Sequence, residues 1–184
     1  DMWPAVRDAQ PNSGHEFFAD LHREGKLLGV VTQNIDGLHE KSGLPREKVI
    51  NLHGNTLQTV CLSCSYRVDS EEVFRALDLS TGAPRCPECG GLLKPDTISF
   101  GQQLDVERLE RAGEFARNCD CMVVFGSTLL VQPAAGIPQR ARHHGAALLI
   151  VTLSETPLDE EAELSVRRPI GEFVAGVRRA RKQE

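Results

Sequence analysis

Cys61-Leu62-Ser63-Cys64 and Cys86-Pro87-Glu88-Cys89 decide how the chain is divided. They are two Cys-x-x-Cys pairs in a chain with only six cysteines. Each turn can bring two thiolates to one side of a metal, and the two turns together supply four. Four thiolates at tetrahedral spacing suit Zn²⁺ and leave no open position for water, so such a metal is structural rather than catalytic. Ser65 follows the first pair and Gly90-Gly91 the second, where tight backbone turns are easiest. The spacing favours zinc at Cys61, Cys64, Cys86 and Cys89 over disulfides or unrelated buried thiols. Cys119 and Cys121 are then left as free thiols.

The 184 residues suffice for one domain carrying a small insert. With 40% hydrophobic and 26% charged residues, the composition is that of a globule with a useful core. The net charge is −5, and aromatics make up 5%, with no basic stripe among them, which disfavours direct nucleic-acid binding. Residues 61 to 89 argue the same way: Asp69, Glu71, Glu72, Asp78 and Glu88 outnumber Arg67, Arg75 and Arg85. No apolar run is long enough to span a membrane. Reduced cysteines at metal-site spacing, with no secretory signal ahead of them, predict a cytoplasmic protein.

On either side of the insert the pattern changes. Ser13-Gly14-His15-Glu16 reads as a capping box with Ser13 as the cap. Phe17, Phe18 and Leu21 give the helix one apolar face, and Gly25 stops it. Leu27 to Val31 reads as a strand buried on both faces. Polar residues crowd its carboxyl end, Thr32-Gln33-Asn34-Ile35-Asp36-Gly37-Leu38-His39. In open α/β sheets ligands bind there, although a loop capping the next helix would use the same residues. Val49 to Leu52 is a second short strand with His53-Gly54-Asn55 at its end, a place suited to acid–base work.

After the insert, Leu92 to Gly101 is extended, and Asp105 can cap a helix carrying Val106, Leu109, Ala112 and Ala116. Cys121 to Phe125 is a buried strand closed by Gly126-Ser127-Thr128, small residues that can contact phosphate or ribose or simply make a turn. Pro138 suits the first turn of a helix to His144. Ala146 to Leu153 is a further strand, Glu155 to Glu163 an acidic surface loop, and Gly171 to Lys182 a final amphipathic helix. Alternating strands and helices predict an α/β fold with a Rossmann-like, doubly wound parallel sheet over 1–57 and 94–184, and a small zinc-binding lobe over 58–93. A cleft between two lobes is the natural ligand site.

Taken in order, these motifs resemble those of the sirtuin family, the NAD-dependent protein lysine deacylases. They are Thr32 to His39, His53-Gly54-Asn55, the two cysteine pairs, Ile98-Ser99-Phe100-Gly101 and Gly126-Ser127-Thr128-Leu129-x-Val131-x-Pro133-Ala134-Ala135. The resemblance covers roughly residues 9 to 180. It implies NAD as co-substrate, structural Zn²⁺ on the four cysteines, and an acylated-lysine protein or peptide as partner. By the same resemblance His53 is the general base, acting on a ribose hydroxyl of an alkylimidate intermediate, with Asn34 beside it. Gln33, Asn34 and Ile35 hold the ribose and the nicotinamide region, and Asp36 recognises the carboxamide. Gly126, Ser127 and Thr128 line the adenosine side, with the family's hydroxyl pair swapped. Phe100, Gly101, Leu129 and Val131 pair with the substrate backbone as an added strand. Two other readings share the site: mono-ADP-ribosyl transfer, and a zinc-stabilised peptide- or nucleotide-binding module without catalysis.

Three departures from the family pattern set further expectations. Thr152-Leu153-Ser154 stands where many members have an adenosine-binding Asn, so the contact passes to Thr152 and Ser154. Phe100-Gly101 is followed by Gln102 rather than Glu. The family's opening Gly-Ala-Gly-x-Ser loop and Pro-Asp-Phe-Arg segment do not occur in these residues. That predicts a parallel sheet incomplete at its N-terminal side, with weak or no activity for these 184 residues alone.

Overall fold

The computed structural model describes residues 3–78, 80, 82–99 and 101–183. Its parallel strands fall into two sheets. Strand β1 (Val30–Thr32) pairs with β2 (Val49–Asn51), Val30 opposite Val49 and Thr32 opposite Asn51. Strand β6 (Cys121–Phe125) pairs with β7 (Ala147–Val151), which pairs with β8 (Leu164–Val166). No ladder joins β1 to β6 among the described residues. The third sheet is antiparallel, in the order β4 (Arg67–Asp69), β3 (Gly54–Cys61), β5 (Leu93–Thr97).

Period-two alternation puts opposite faces of the first sheet into different cores. Val30 and Val49 pack with Ala19 of α2 (Ser13–Arg23) and with Leu44. Ile50 turns the other way, with Leu52, onto Ala112 and Ala116 of α5 (Val106–Asn118) and Ile137 and Ala141 of α6 (Gly136–His143). Val31 and Met122 meet at the edge of that same core, so the two parallel sheets share it. Leu148 and Ile150 of β7 are fully buried beside Val124, Leu129 and Leu158. Burying each such side chain stabilises the fold by roughly 1.5–3 kcal/mol. Phe17, Phe18, Phe125 and Phe173 pack in tilted and edge-to-face contacts between α2, β6 and α7 (Ile170–Ala180), and Arg178 to Asp20 at 2.7 Å ties the two helices.

Three local expectations are revised. Asn12, not Ser13, caps α2: its backbone is extended, and Oδ1 accepts from Gly14 N at 2.9 Å and His15 N at 3.3 Å. His15 closes the box by accepting from Asn12 N, so Ser13 lies already inside the helix. The first strand runs over Val30–Thr32, later than expected from Leu27, because Leu28 is 40% exposed and has no sheet partner there. The acidic stretch after β7 holds a 3₁₀ turn at Asp159–Glu161 and leads into β8, an edge strand that the pattern did not show. Asp105 does cap α5, accepting from Arg108 N at 3.1 Å.

In the cysteine lobe, β3 begins at Gly54, ahead of residue 58, and β5 runs to Thr97. Asp69 caps the short helix α4 (Ser70–Arg75), and the Ser70 and Thr59 hydroxyls are buried against each other at 2.8 Å. Two further short helices are α1 (Trp3–Asp8) and α3 (Leu38–Lys41); Trp3 of α1 stacks on Phe74 of α4 at 4.5 Å. No helix among the described residues is long and apolar enough to cross a membrane.

Candidate active site and metal centre

The polar segments singled out in the sequence follow the carboxyl ends of parallel strands. Gln33 to Asp36 follows β1, His53 follows β2, Gly126 to Thr128 follows β6 and Thr152 to Ser154 follows β7. The first two segments are bonded to each other. Nδ1 of His53 lies 3.0 Å from the carbonyl oxygen of Gln33. A carbonyl only accepts, so Nδ1 carries a proton, and in the neutral ring Nε2 is the nitrogen that keeps its lone pair. Leu52 N donates to Thr32 O at 3.0 Å, and Ile98 N donates to His53 O at 2.9 Å. The half-buried imidazole is thereby fixed on both sides and at its ring.

The loop that faces it is also held. Thr32 Oγ1 accepts from Asn34 N at 3.1 Å, and Asp36 Oδ1 accepts from Leu38 N at 3.0 Å. The Asn34 side chain stands exposed, and Asp36 and Gln33 are half-buried. Thr56 anchors Ile35 by donating to its carbonyl from both N (2.8 Å) and Oγ1 (2.6 Å). Sequence reasoning gave Thr56 no role; its only signal is a hydroxyl just past His53-Gly54-Asn55.

Two histidines that the motifs contain were given no role of their own. His15 and His39 are buried, their rings 4.8 Å apart edge to face. Burial, and then the neighbouring His15, push His39 down to about 4, although Asp36 pulls the other way. Burial lowers His15 too, again opposed by Asp36. Both are therefore neutral at pH 7. A 3.6-residue apolar face would have flagged neither, since histidine is seldom read as core.

The second pair of segments is joined through Gly126 N, which donates to Val151 O at 2.9 Å. Gly126 takes φ 62°, a left-handed turn that exposes it beside exposed Thr128. Ser127 Oγ accepts from Leu129 N at 3.2 Å. Thr152 is buried and donates its N–H to Val166 O, whereas Ser154 is exposed. Leu129 holds φ 55° although its side chain is buried, and this turns Leu130 and Val131 outward at 69% and 49% exposure. Gly101 is exposed with φ 83°. Phe100 lies outside the described residues.

The four insert cysteines meet at one point. Their sulfurs all lie within 4.8 Å of one another, with Cys61 to Cys89 at 3.5 Å and Cys64 to Cys86 at 3.7 Å. A tetrahedron of thiolates about 2.3 Å from Zn²⁺ has sulfurs about 3.8 Å apart, so the set fits that ion. These separations are far beyond a disulfide bond. Ser63 N donates to Cys61 Sγ at 3.3 Å and leads the causes that hold that thiol down to about 7. Cys119 and Cys121 stand apart from this cluster, and burial pushes both thiols up.

Comparison with known proteins agrees with this arrangement. A family model described as the Sir2 family matches residues 1–133. NAD-dependent protein deacetylase 1 of Bradyrhizobium diazoefficiens is 44% identical over 164 residues, covering 89% of this chain and 64% of that protein. NAD-dependent protein deacetylase 2 of Streptomyces coelicolor is 40% identical over 167 residues, 91% of this chain and 69% of its own length. The chain thus spans just under two thirds of the Bradyrhizobium protein. Among solved structures, Sir2Tm bound to a propionylated peptide superposes with TM-score 0.90 at 34% identity, covering 98% of this chain and 75% of that one. A complex of Sir2, p53 peptide and NAD⁺ superposes with TM-score 0.89 at 34% identity, covering 98% and 74%.

Proposed function

The chain belongs to the Sir2 family, and on that premise we propose that it removes acyl groups from protein lysine side chains at the expense of NAD. In this reading acyl-lysine, NAD and one water give free lysine, nicotinamide and an O-acyl-ADP-ribose. The observation that carries it is the Nδ1 contact of His53 with Gln33 O, which leaves Nε2 as a base at the end of β2. NAD, when bound, supplies an electrophilic ribose carbon with nicotinamide as its leaving group. His53 Nε2 takes the proton of a ribose hydroxyl and makes it a nucleophile; a neutral imidazole suits that task at neutral pH. Gln33, Asn34 and Ile35 hold the ribose and nicotinamide end, Asn34 beside the reacting atoms, and Asp36 binds the carboxamide. Gly126, Ser127 and Thr128 take the adenosine side with Thr152 and Ser154.

The acylated peptide lies against Phe100 and Gly101 on one side and Leu129 and Val131 on the other, adding a strand. The outward turn of Val131 supports this role. Cys61, Cys64, Cys86 and Cys89 would hold Zn²⁺, which would tie together the turns of the small lobe of residues 58–93, beside the nucleotide-binding lobe of 1–57 and 94–184, and take no part in the chemistry. Four cysteines kept reduced to hold a metal support a cytoplasmic location under this reading.

The test is to incubate the protein with an acetyl-lysine peptide and NAD and to follow products by mass spectrometry. Nicotinamide and O-acetyl-ADP-ribose should form in equal amounts with deacetylated peptide. Deacetylation that needs no NAD, or ADP-ribose attached to a protein with the acetyl group intact, would refute the reading.

A further inference from the structure

His53 sits at the centre of a turn whose two ends are fastened by one ion pair. Asn51 precedes it by two residues, and its carbonyl accepts from Arg108 Nη1 at 3.2 Å. Asn55 follows it by two, and in the β3–β5 ladder Asn55 lies opposite Asp96. Arg108 Nη2 donates to Asp96 Oδ2 at 3.3 Å, so a single guanidinium spans from one end of the turn to the strand that pairs with the other. The same Oδ2 accepts from Arg67 Nη1 of β4 at 2.5 Å. The Asp96 and Arg108 side chains are 18% and 26% exposed, far less than Arg67 at 50%. Charge-assisted bonds between shielded groups hold geometry better than surface pairs do. The base of the clasp is rigid, since α5, which carries Arg108, buries Ala112 and Ala116 against Ile50 and Leu52.

We propose that Asp96 and Arg108 are positioning residues for His53: their ion pair clasps the Asn51–Asn55 turn and keeps the imidazole Nδ1 on the Gln33 carbonyl. Neither touches the reacting atoms in this assignment. Arg67 is the tie of the cysteine lobe to the same carboxylate and is dispensable for the clasp. The inference rests on the reading of His53 as the acid–base residue, but its first test does not need turnover.

That test is the nitrogen NMR spectrum of the His53 ring in the 184-residue protein. The parent should show one tautomer, protonated at Nδ1. Asp96→Asn and Arg108→Gln should each move the ring signals toward a mixture of both tautomers, and the double variant should move them no further than either single change. Arg67→Gln should leave them unmoved. Arg108→Lys, which can keep the charge but not bridge both acceptors, serves if Arg108→Gln fails to fold, and should give the mixture too. In turnover assays the clasp variants should lower kcat about ten-fold or more with KM for the peptide and NAD within about two-fold. Unchanged His53 signals in the Asp96 and Arg108 variants, or an equal change in Arg67→Gln, would overturn the proposal. ADP-ribose transferred to protein with the acetyl group intact, in a protein whose ring signals still respond, would sink the deacylase reading and leave the clasp standing.

Discussion

Nδ1 of His53 and the carbonyl oxygen of Gln33, 3.0 Å apart, join the carboxyl ends of β2 and β1. The bond fixes which ring nitrogen is free to act as a base. Under the proposed assignment of His53 as general base, His53→Ala should lower kcat by about 10²–10⁴-fold. Because the ring is only half-buried, the thermal midpoint should shift little and NAD should still stabilise the fold. Steady-state turnover and a thermal melt with and without NAD check both parts. Full activity in His53→Ala would remove His53 from the chemistry.

The cysteine lobe should be a metal-dependent fold. Its apolar side chains Tyr66, Val68, Val73, Phe74 and Leu77 are all only partly buried. Several of them line a cavity of about 390 Å³ rather than a packed core. Binding of a structural Zn²⁺ by four cysteines contributes on the order of 10 kcal/mol, more than such a lobe can supply by itself. Elemental analysis should give one zinc per chain. Stripping it with a strong chelator, or Cys86→Ala at a site 3% exposed, should unfold β3 to β5 and lower the melting temperature sharply. Since β3 runs from Gly54, next to His53, to the ligand Cys61, activity should vanish with the metal. A stripped protein with an unchanged melt would argue against a structural zinc.

Stability should fall on acidification before the carboxylates titrate. His39 is 9% exposed and held down to about 4, whereas an unfolded histidine titrates near 6.5. Between those values the unfolded chain binds a proton that the folded chain refuses, so stability rises with pH across that window. The contribution is present in full above about pH 6.5 and shrinks by about 3 kcal/mol on the way down to pH 4. His15 is lowered in the same direction and adds to the slope, while Asp36 opposes both. Denaturant titrations from pH 7 to pH 4.5 check this. His39→Phe, which keeps an aromatic ring beside His15 and Phe18, should flatten the profile.

Much of the site could be read in the residues, because its elements leave strong local marks. Cysteine pairs keep their spacing whatever surrounds them, and all four sulfurs do converge. Cys121–Phe125 and Ala147–Val151 are apolar, β-branched runs, and they form adjacent parallel strands. Asp105 is followed by a clean helical face, and it caps α5. What was lost to the pattern depends on neighbours distant in sequence. Strand β8 is mostly exposed and follows acidic residues, so it has no apolar signature; Ser165 N–H and carbonyl groups find β7 only after the fold forms. Asn12 and Ser13 are both good caps, and the choice falls to Asn12 because His15 can answer it. The ion pair of Asp96 with Arg108 joins two elements with no shared period, and His15 and His39 meet only through tertiary packing.

Gly54 should be the least replaceable small residue near the site. Its φ is 80°, in the left-handed region, and a Cβ there would lie 1.9 Å from the Asp96 carbonyl oxygen. That oxygen belongs to β5, which pairs Thr97 opposite Gly54 and holds His53 through Ile98 N, so it cannot retreat without opening the ladder. Gly54→Ala therefore combines backbone strain with a clash against main chain, together about 4 kcal/mol. Gly25 shares a left-handed φ of 70°, but nothing lies within 4 Å of its added Cβ. Gly25→Ala should cost only the conformational part, about 1 kcal/mol. Chemical denaturation of the two variants separates the terms. Because the clash lies beside His53, Gly54→Ala should also lose activity in excess of its loss of folded protein, whereas Gly25→Ala should keep parental turnover. Equal destabilisation of the two variants would mean that β5 yields to the methyl group and that the turn around His53 is looser than the ladder implies.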